Sequence, residues 1–213
     1  AVQRGNPRLT EEVNVNTEVA VRYLGQMVQA SVAAHRNVFD DYIYLADSGL
    51  SQGALPVFVY RQADAELKGV EATLDVAPRP WVRLGAAWTW LDTRNRQTGR
   101  LLPQTPADRL LTFAGVRRAR LGRAREAFAE VDLSLVGRGE VSGPDEPLGT
   151  HTAAYEVVGL KAGLTWPAGP TRLDLAVVVR NLFDREYRDF LWSYKPYAPN
   201  PGRDLRMTVT WRF

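Results

Sequence analysis

Arg203-Asp204-Leu205-Arg206-Met207-Thr208-Val209-Thr210-Trp211-Arg212-Phe213 alternates without a break. Leu205, Met207, Val209, Trp211 and Phe213 share one face of an extended chain, and Arg206, Thr208, Thr210 and Arg212 share the other. A strand projects successive side chains to opposite sides, so this stretch is one apolar wall backed by a charged one. An exposed apolar strand ending on an aromatic residue is a poor finish for a soluble protein. It suits a strand that faces lipid on one side and water on the other.

The same period recurs upstream. Val13, Val15, Val19, Val21 and Tyr23 oppose Asn14, Asn16, Glu18 and Arg22; Ala129, Val131, Leu133 and Leu135 oppose Glu130, Asp132 and Ser134; Leu173, Leu175, Val177 and Val179 oppose Arg172, Asp174 and Arg180. Alternation and turn residues together predict nine strands: Glu12–Tyr23, Met27–Leu45, Pro56–Ala77, Trp81–Asp92, Asp108–Ala119, Glu126–Gly139, Ala154–Trp166, Thr171–Leu182 and Asp204–Phe213. The strand from Asp108 has apolar residues on both faces.

Short connections at Leu24–Gln26, Pro78–Pro80, Arg120–Arg125 and Pro167–Pro170 alternate with long ones at Ala46–Leu55, Thr93–Ala107, Glu140–Ala153 and Phe183–Arg203. Every tight turn therefore lies at one end of the sheet, as in outer-membrane barrels with short periplasmic turns and long external loops. Tyr23, Trp166, Trp211 and Phe213 fall on apolar faces near the short-turn end, Trp88 and Trp90 near the other, which matches two interfacial girdles. Trp81 has the wrong parity for this set. A three-residue turn at Pro78–Pro80 would set Asp75 opposite Arg83 on the inner face and Leu74 opposite Leu84 on the outer one.

The fold class is therefore all-β, a transmembrane antiparallel barrel segment. Bacterial single-chain barrels have even strand numbers, and open edges in hydrocarbon cost several kcal/mol per unpaired backbone group. Nine strands are thus expected to be part of a larger barrel. The chain opens without a charged start and apolar core of the signal-peptide kind, which fits a missing beginning.

Composition excludes other classes. No apolar run of about 18 residues exists for a helical span. There is no cysteine, so thiolate metal sites, redox pairs and disulfides are excluded. The net charge is +3 with arginines spread along the chain, which gives no nucleic-acid footprint. No Gly-x-Ser-x-Gly elbow is present, adjacent Asp40 and Asp41 point to opposite faces, and Gly137-Arg138-Gly139 opens no helix to cradle phosphate. No enzyme activity and no cofactor are expected.

Five segments resemble the TonB-dependent outer-membrane receptors, in that family's order. Val179-Arg180-Asn181-Leu182-Phe183-Asp184-Arg185-Glu186-Tyr187 is similar to its Asn-Leu-Phe-Asp segment, and Pro201-Gly202-Arg203 precedes a final strand with terminal Phe213. Lys68-Gly69-Val70-Glu71 is similar to its Gly-x-Glu strand. Leu102-Pro103-Gln104-Thr105-Pro106-Ala107-Asp108-Arg109-Leu110 is similar to its Pro-x-x-Pro-x-x-Arg-Leu loop exit. Asn6-Pro7-Arg8-Leu9-Thr10-Glu11-Glu12 resembles its Asn-Pro-x-Leu-x-x-Glu approach to a strand. Asn37–Leu45 and Leu55–Ala65 are similar to zinc-uptake members. The resemblance implies that residues 1–213 are the carboxy-terminal part of a 22-stranded barrel, with the plug domain absent from this chain. It further implies TonB-energised uptake of a scarce nutrient across the Gram-negative outer membrane, with the carboxy terminus at the periplasmic side. The partners implied are outer-membrane lipid, the chain's own plug and remaining strands, TonB through the plug region, and a small nutrient ligand.

Ligand-contact candidates on the external loops are Asp40, Asp41, Tyr42, Tyr44, Trp192, Tyr194 and Lys195. Amphipathic aromatics beside cations can stack on a chelate or bind a carboxylate, or they pack the loop on the rim. His35, Asp47 and His151, with Asp40, Asp41, Asp145 or Glu146, have side chains that suit zinc but lack His-x-x-x-His spacing. Inner-face charges Glu18, Arg22, Glu71, Asp75, Arg83, Glu130, Asp132, Lys161, Asp174, Arg180, Arg206 and Arg212 solvate a polar lumen and can face a plug. Two alternatives stand beside this reading: a complete small outer-membrane barrel with esterase or protease activity, and a soluble all-β binding domain with an inward apolar face and no girdles.

Overall fold

The computed structural model describes all residues from Ala1 to Phe213. Its elements are β1 (Val2–Arg4), β2 (Val13–Leu24), β3 (Val28–Gln52), β4 (Leu55–Arg79), β5 (Val82–Asn95), β6 (Arg109–Leu121), β7 (Ala124–Val136), β8 (Tyr155–Ala168), β9 (Thr171–Arg180) and β10 (Asp204–Arg212). β2 to β10 form one antiparallel meander in which each strand pairs with its chain neighbours, while β2 and β10 are open edges. No helix is present.

The sheet is a wall and not half of a sandwich. Only 20 of 213 residues are buried, far too few for a soluble domain of this length to have a packed core. The side chains left uncovered are the apolar ones: Val19 is 68% exposed, Met207 70% and Trp211 64%. Register places them on a single face. Met207 pairs with Val177 and Val177 with Ala162; Trp211 pairs with Leu173 and Leu173 with Trp166. An apolar face of this extent is stable only against lipid.

The opposite face is polar and ion-paired. Arg83 meets Asp75 at 2.7 Å, Lys161 meets Glu130 at 2.9 Å and Arg212 meets Asp174 at 2.9 Å. The two-sided strand beginning at Asp108 resolves here. Phe113 turns to this inner face and its ring covers Gly85 across β5 and β6, as Phe128 covers Gly163 across β7 and β8. A side chain at either glycine would clash with the ring, so each inward aromatic has a glycine opposite it.

On the outer face the apolar surface gives way, beyond Val70 and Trp90, to Arg36, Glu66, Lys68, Asp92 and Arg94. Glu66 bridges Arg36 at 2.6 Å and Lys68 at 2.7 Å, and Arg94 meets Asp92 at 2.9 Å. Charge at consecutive outward positions marks the end of the hydrocarbon zone.

Three sequence expectations change. The connection Ala46–Leu55 is not a loop: β3 and β4 continue through it as 25-residue strands and turn only at Gly53-Ala54. A membrane crossing uses about 9–11 residues, so this hairpin stands well clear of the bilayer. The β4–β5 turn is tighter than three residues. A bulge between Val76 and Arg79 pairs Asp75 with Gly85 and Leu74 with Ala86, so Asp75 reaches Arg83 diagonally and the register moves by two while each face is kept. Finally, β1 was not foreseen. It adds in parallel to β4, with Val2 beside Val57, on a stretch where β5 has ended, and three residues carry too little pattern to read.

Of the other three tight turns, Gly25–Met27 is three residues, and Gly122-Arg123 and Gly169-Pro170 are two each, with φ of 60° at Gly122 and 64° at Gly169. Glycine takes that conformation without a Cβ penalty.

Candidate ligand-binding rim at the long-loop end

Four connections converge beyond the apolar wall: the β3–β4 hairpin, residues 96–108, residues 137–154 and residues 181–203. The last is the longest, and its two ends are tied together by the residues that carry the family resemblance. Asn181, 3% exposed, donates from Nδ2 to the carbonyls of Arg185 (2.8 Å) and Pro201 (3.4 Å) and accepts from the Arg185 N–H at 2.8 Å. Asp184 Oδ1 accepts the Arg203 N–H at 2.7 Å, and a Cβ at Gly202 would lie 2.6 Å from that oxygen. The Asn-Leu-Phe-Asp and Pro-Gly-Arg segments are therefore two halves of one clasp.

The loop then folds over the inner face. Asp189 Oδ2 accepts from Arg109 Nη2 and from the Tyr155 hydroxyl, each at 2.7 Å, while its N–H donates to Asn200 Oδ1 at 2.7 Å. Tyr187 lies against Tyr155 with ring centroids 4.5 Å apart. A cleft of about 380 Å³ is lined here by Arg109, Tyr155, Tyr187, Asp189, Trp192 and Asn200, among others. The indole N–H of Trp192 is buried without a partner. Burial, then the Asp189 carboxylate, pushes the Tyr155 phenol well above the usual tyrosine value, and the same two causes raise Tyr187. Because the Tyr155 value is raised, its contribution to stability is complete below the ordinary tyrosine value of about 10 and is lost as pH rises through the raised one. Asp189→Asn is expected to lower the Tyr155 value but leave it above ordinary, since burial is the larger cause; NMR titration of labelled tyrosine checks this.

A second carboxylate joins two other loops. Glu146, 2% exposed, accepts the Gln104 N–H at 3.0 Å and the Ser142 N–H at 3.3 Å. Nearby, Arg61 on β4 pairs with Asp145.

The ligand candidates scatter over this rim. Asp40, Asp41, Tyr42 and Tyr44 lie within β3 and not in a loop. A bulge between Phe39 and Tyr42, with Asp41 at a φ of 59°, reverses the faces, so Tyr42 and Tyr44 pair with Ala63 and Arg61 on the inner side. Burial is the first cause raising both phenols, followed by Glu12 for Tyr42 and Asp145 for Tyr44. Asp40 meets Arg96 at 3.3 Å, and Asp41 accepts from the Thr10 hydroxyl at 3.1 Å. Tyr194 is 62% exposed, with Trp192 5.5 Å away between ring centroids.

Lys195 is sealed in. It is 3% exposed, donates to the Phe190 carbonyl at 2.7 Å and lies 3.7 Å from the centre of the Phe190 ring. Burial lowers its pKa, and Glu146 and Asp189 only partly offset that. Amine-reactive reagents are therefore expected to modify Lys68, whose side chain is 48% exposed, well before Lys195, as peptide mapping would show.

The metal candidates do not assemble. His35 lies midway along β3 on the inner face, over Gly69. Asp47 accepts the Gly49 N–H at 2.8 Å, and His151 Nδ1 accepts the Val141 N–H at 3.3 Å. No group of three His, Asp or Glu side chains with metal-holding geometry exists in the chain. Tyr155 and Asp189 were not singled out by sequence reasoning, and Arg109 entered only within the Pro-x-x-Pro-x-x-Arg-Leu resemblance, because their meeting depends on how the last long loop folds back.

A family model described as TonB dependent receptor-like, beta-barrel matches residues 1–182. The vitamin B12 transporter BtuB of Vibrio vulnificus (strain YJ016) is 25% identical over 98% of this chain and 31% of its own length. The copper transporter OprC superposes with a TM-score of 0.78 at 18% identity, covering 97% of this chain and 33% of that one. BauA, the ferric preacinetobactin receptor of Acinetobacter baumannii, gives 0.71 at 14% identity over 93% and 29%. These likenesses to solved structures show the fold, and the chain spans about a third of the length of the proteins it matches. The wall of alternating strands, the clasped last loop and the family match lead to one conclusion: the chain belongs to the TonB-dependent receptor-like β-barrel family.

Proposed function

We propose that this chain is the carboxy-terminal part of the barrel of a TonB-dependent outer-membrane receptor, a transporter and not an enzyme. In this reading the long-loop end faces the exterior and captures a scarce nutrient, a metal ion or a metal chelate. The short turns and the carboxy terminus lie on the periplasmic side. The rest of the barrel, a plug and the TonB-contacting segment belong to the complete receptor. The observation that carries the reading is the sorting of the sheet: apolar side chains on one face, ion pairs on the other, tight turns at one end and a convergent rim at the other. Open edges at β2 and β10 are unfavourable in hydrocarbon and support further strands on both sides. Within the rim, Tyr42, Tyr44, Trp192 and Tyr194 supply aromatic faces to a ligand, Asp40 and Asp41 supply oxygen ligands or hydrogen-bond acceptors, and Lys195 shapes the loop that carries Trp192 and Tyr194.

The test is a deletion of the complete gene, with growth and uptake compared under zinc, copper, iron-chelate and cobalamin limitation. Loss of uptake of one nutrient, restored by the intact receptor but not by a TonB-uncoupled one, is the expected result. Unchanged uptake of all four, with the product found in the soluble fraction, overturns the reading.

A further inference from the structure

The β6–β7 turn corrects the reading of the arginines as evenly spread along the chain. Arg117, Arg118, Arg120, Arg123 and Arg125 fall within nine residues, all exposed. None forms an ion pair. The carboxylate that follows the stretch, Glu126, sits at a φ of 48° beside the β7–β8 bulge and pairs with none of them. Arg120 and Arg125 are directly opposed across the hairpin, an arrangement that like charges disfavour. Inner-face cations such as Arg83, Lys161 and Arg212 each have a carboxylate. The hairpin does not, so its charge calls for an anion from outside the chain.

Position selects the anion. Arg118 lies 4.2 Å from the centre of the Trp81 ring, which joins Trp81 to the cluster although its parity leaves it off the apolar face. Arg125 pairs with Thr165, and the residue after Thr165 is the outward Trp166, 41% exposed, so the hairpin stands at the height of the short-turn tryptophans. Tryptophans at a barrel end mark the headgroup level, and a guanidinium binds phosphate oxygens in a two-point fork. We propose that the β6–β7 hairpin is a docking site for the phosphate head groups of anionic phospholipids in the leaflet on the short-turn side. The proposal rests on the membrane reading above and adds a specific lipid class to it.

The experiment uses the complete receptor in phosphatidylcholine nanodiscs, with spin-labelled phosphatidylglycerol and phosphatidylcholine as probes. The protein-immobilised fraction of each probe gives their relative association. Phosphatidylglycerol is expected to be enriched severalfold at low salt, with up to about fivefold from each arginine near the surface, and less at high salt. Arg118→Gln, Arg120→Gln, Arg123→Gln and Arg125→Gln combined should bring the ratio near one. The same four positions as lysine should restore most of it, and Arg94→Gln with Arg96→Gln at the opposite end should leave it unchanged. If the fourfold glutamine variant does not insert, Arg118→Gln and Arg120→Gln are measured singly, each expected to lower the ratio. No enrichment in the parent receptor, or equal enrichment in the glutamine variants, overturns the proposal and leaves an acidic protein surface as the occupant. Heat-modifiable gel migration keeps the two readings apart: a parent that does not show it sinks the barrel itself, whereas one that shows it without lipid preference sinks only the docking site.

Discussion

Val177→Arg in the complete receptor is expected to destabilise the folded barrel by about 2–4 kcal/mol, the cost of a lipid-facing cation near the bilayer midplane. Val177 pairs with Met207 on one side and Ala162 on the other, and the Leu173 level with its flanking tryptophans lies four residues away. An arginine there must reach water past apolar neighbours on both strands. Thr208 is the control, one residue beyond Met207 and on the opposite face of the wall. Thr208→Arg extends into the aqueous lumen and should cost under about 1 kcal/mol, since lumen positions tolerate charge. Urea titration of receptor folded into vesicles measures both. Equal losses at the two positions would mean that both faces meet the same medium, and the membrane reading would fail.

That contrast was visible in the sequence because it depends only on parity. Alternation at Val13–Tyr23, Leu173–Val179 and Leu205–Phe213 states which side chains share a face, and no tertiary contact is needed to keep it. The tight turns were legible for a related reason, since Gly122 and Gly169 supply backbone conformations that few other residues take without strain. What parity cannot give is register. The two-residue turn at Pro80-Trp81 and the one-residue bulge between Val76 and Arg79 together place the β4–β5 pairing two residues from the register of a three-residue turn, a net change that keeps Asp75 on its face and so leaves no trace in the pattern. The bulge at Asp40 and Asp41 does reverse the faces of β3, but the run Phe39-Asp40-Asp41-Tyr42 offers polar and aromatic residues to both sides and reads as a loop margin.

The rim was legible in composition and not in geometry. Aromatic residues and cations in 181–203 announce a structured loop, yet which of them face a ligand depends on contacts 80 and 34 residues apart in sequence, from Arg109 and Tyr155 to Asp189. Lys195 shows the limit most clearly. A lysine between two tyrosines in a long loop suggests an exposed cation, and only the fold-back of Phe190 against Gly139, where a Cβ would lie 2.4 Å from the Phe190 side chain, puts the ammonium out of reach. The arginines of the β6–β7 turn are the converse case: five within nine residues are a cluster already legible in the sequence, and the two-residue turn adds only the opposition of Arg120 and Arg125.

Asn181→Ala should release the last long loop while the wall stays folded. Two costs add. The Arg185 and Pro201 carbonyls and the Arg185 N–H lose their side-chain partner, and leaving buried polar groups unpaired costs about 1–3 kcal/mol. Asn181 also holds a φ of 50°, where an alanine is penalised by about 1–2 kcal/mol. Asn181→Gly separates the two terms, since it loses the hydrogen bonds but takes the conformation freely. Limited proteolysis between Phe183 and Arg203 should rank alanine above glycine and both well above the parent, with the heat-modifiable migration of the barrel unchanged. Cleavage no faster than in the parent for either substitution would mean that the Asn-Leu-Phe-Asp segment does not close this loop, and its pairing with Pro201-Gly202-Arg203 would need another explanation.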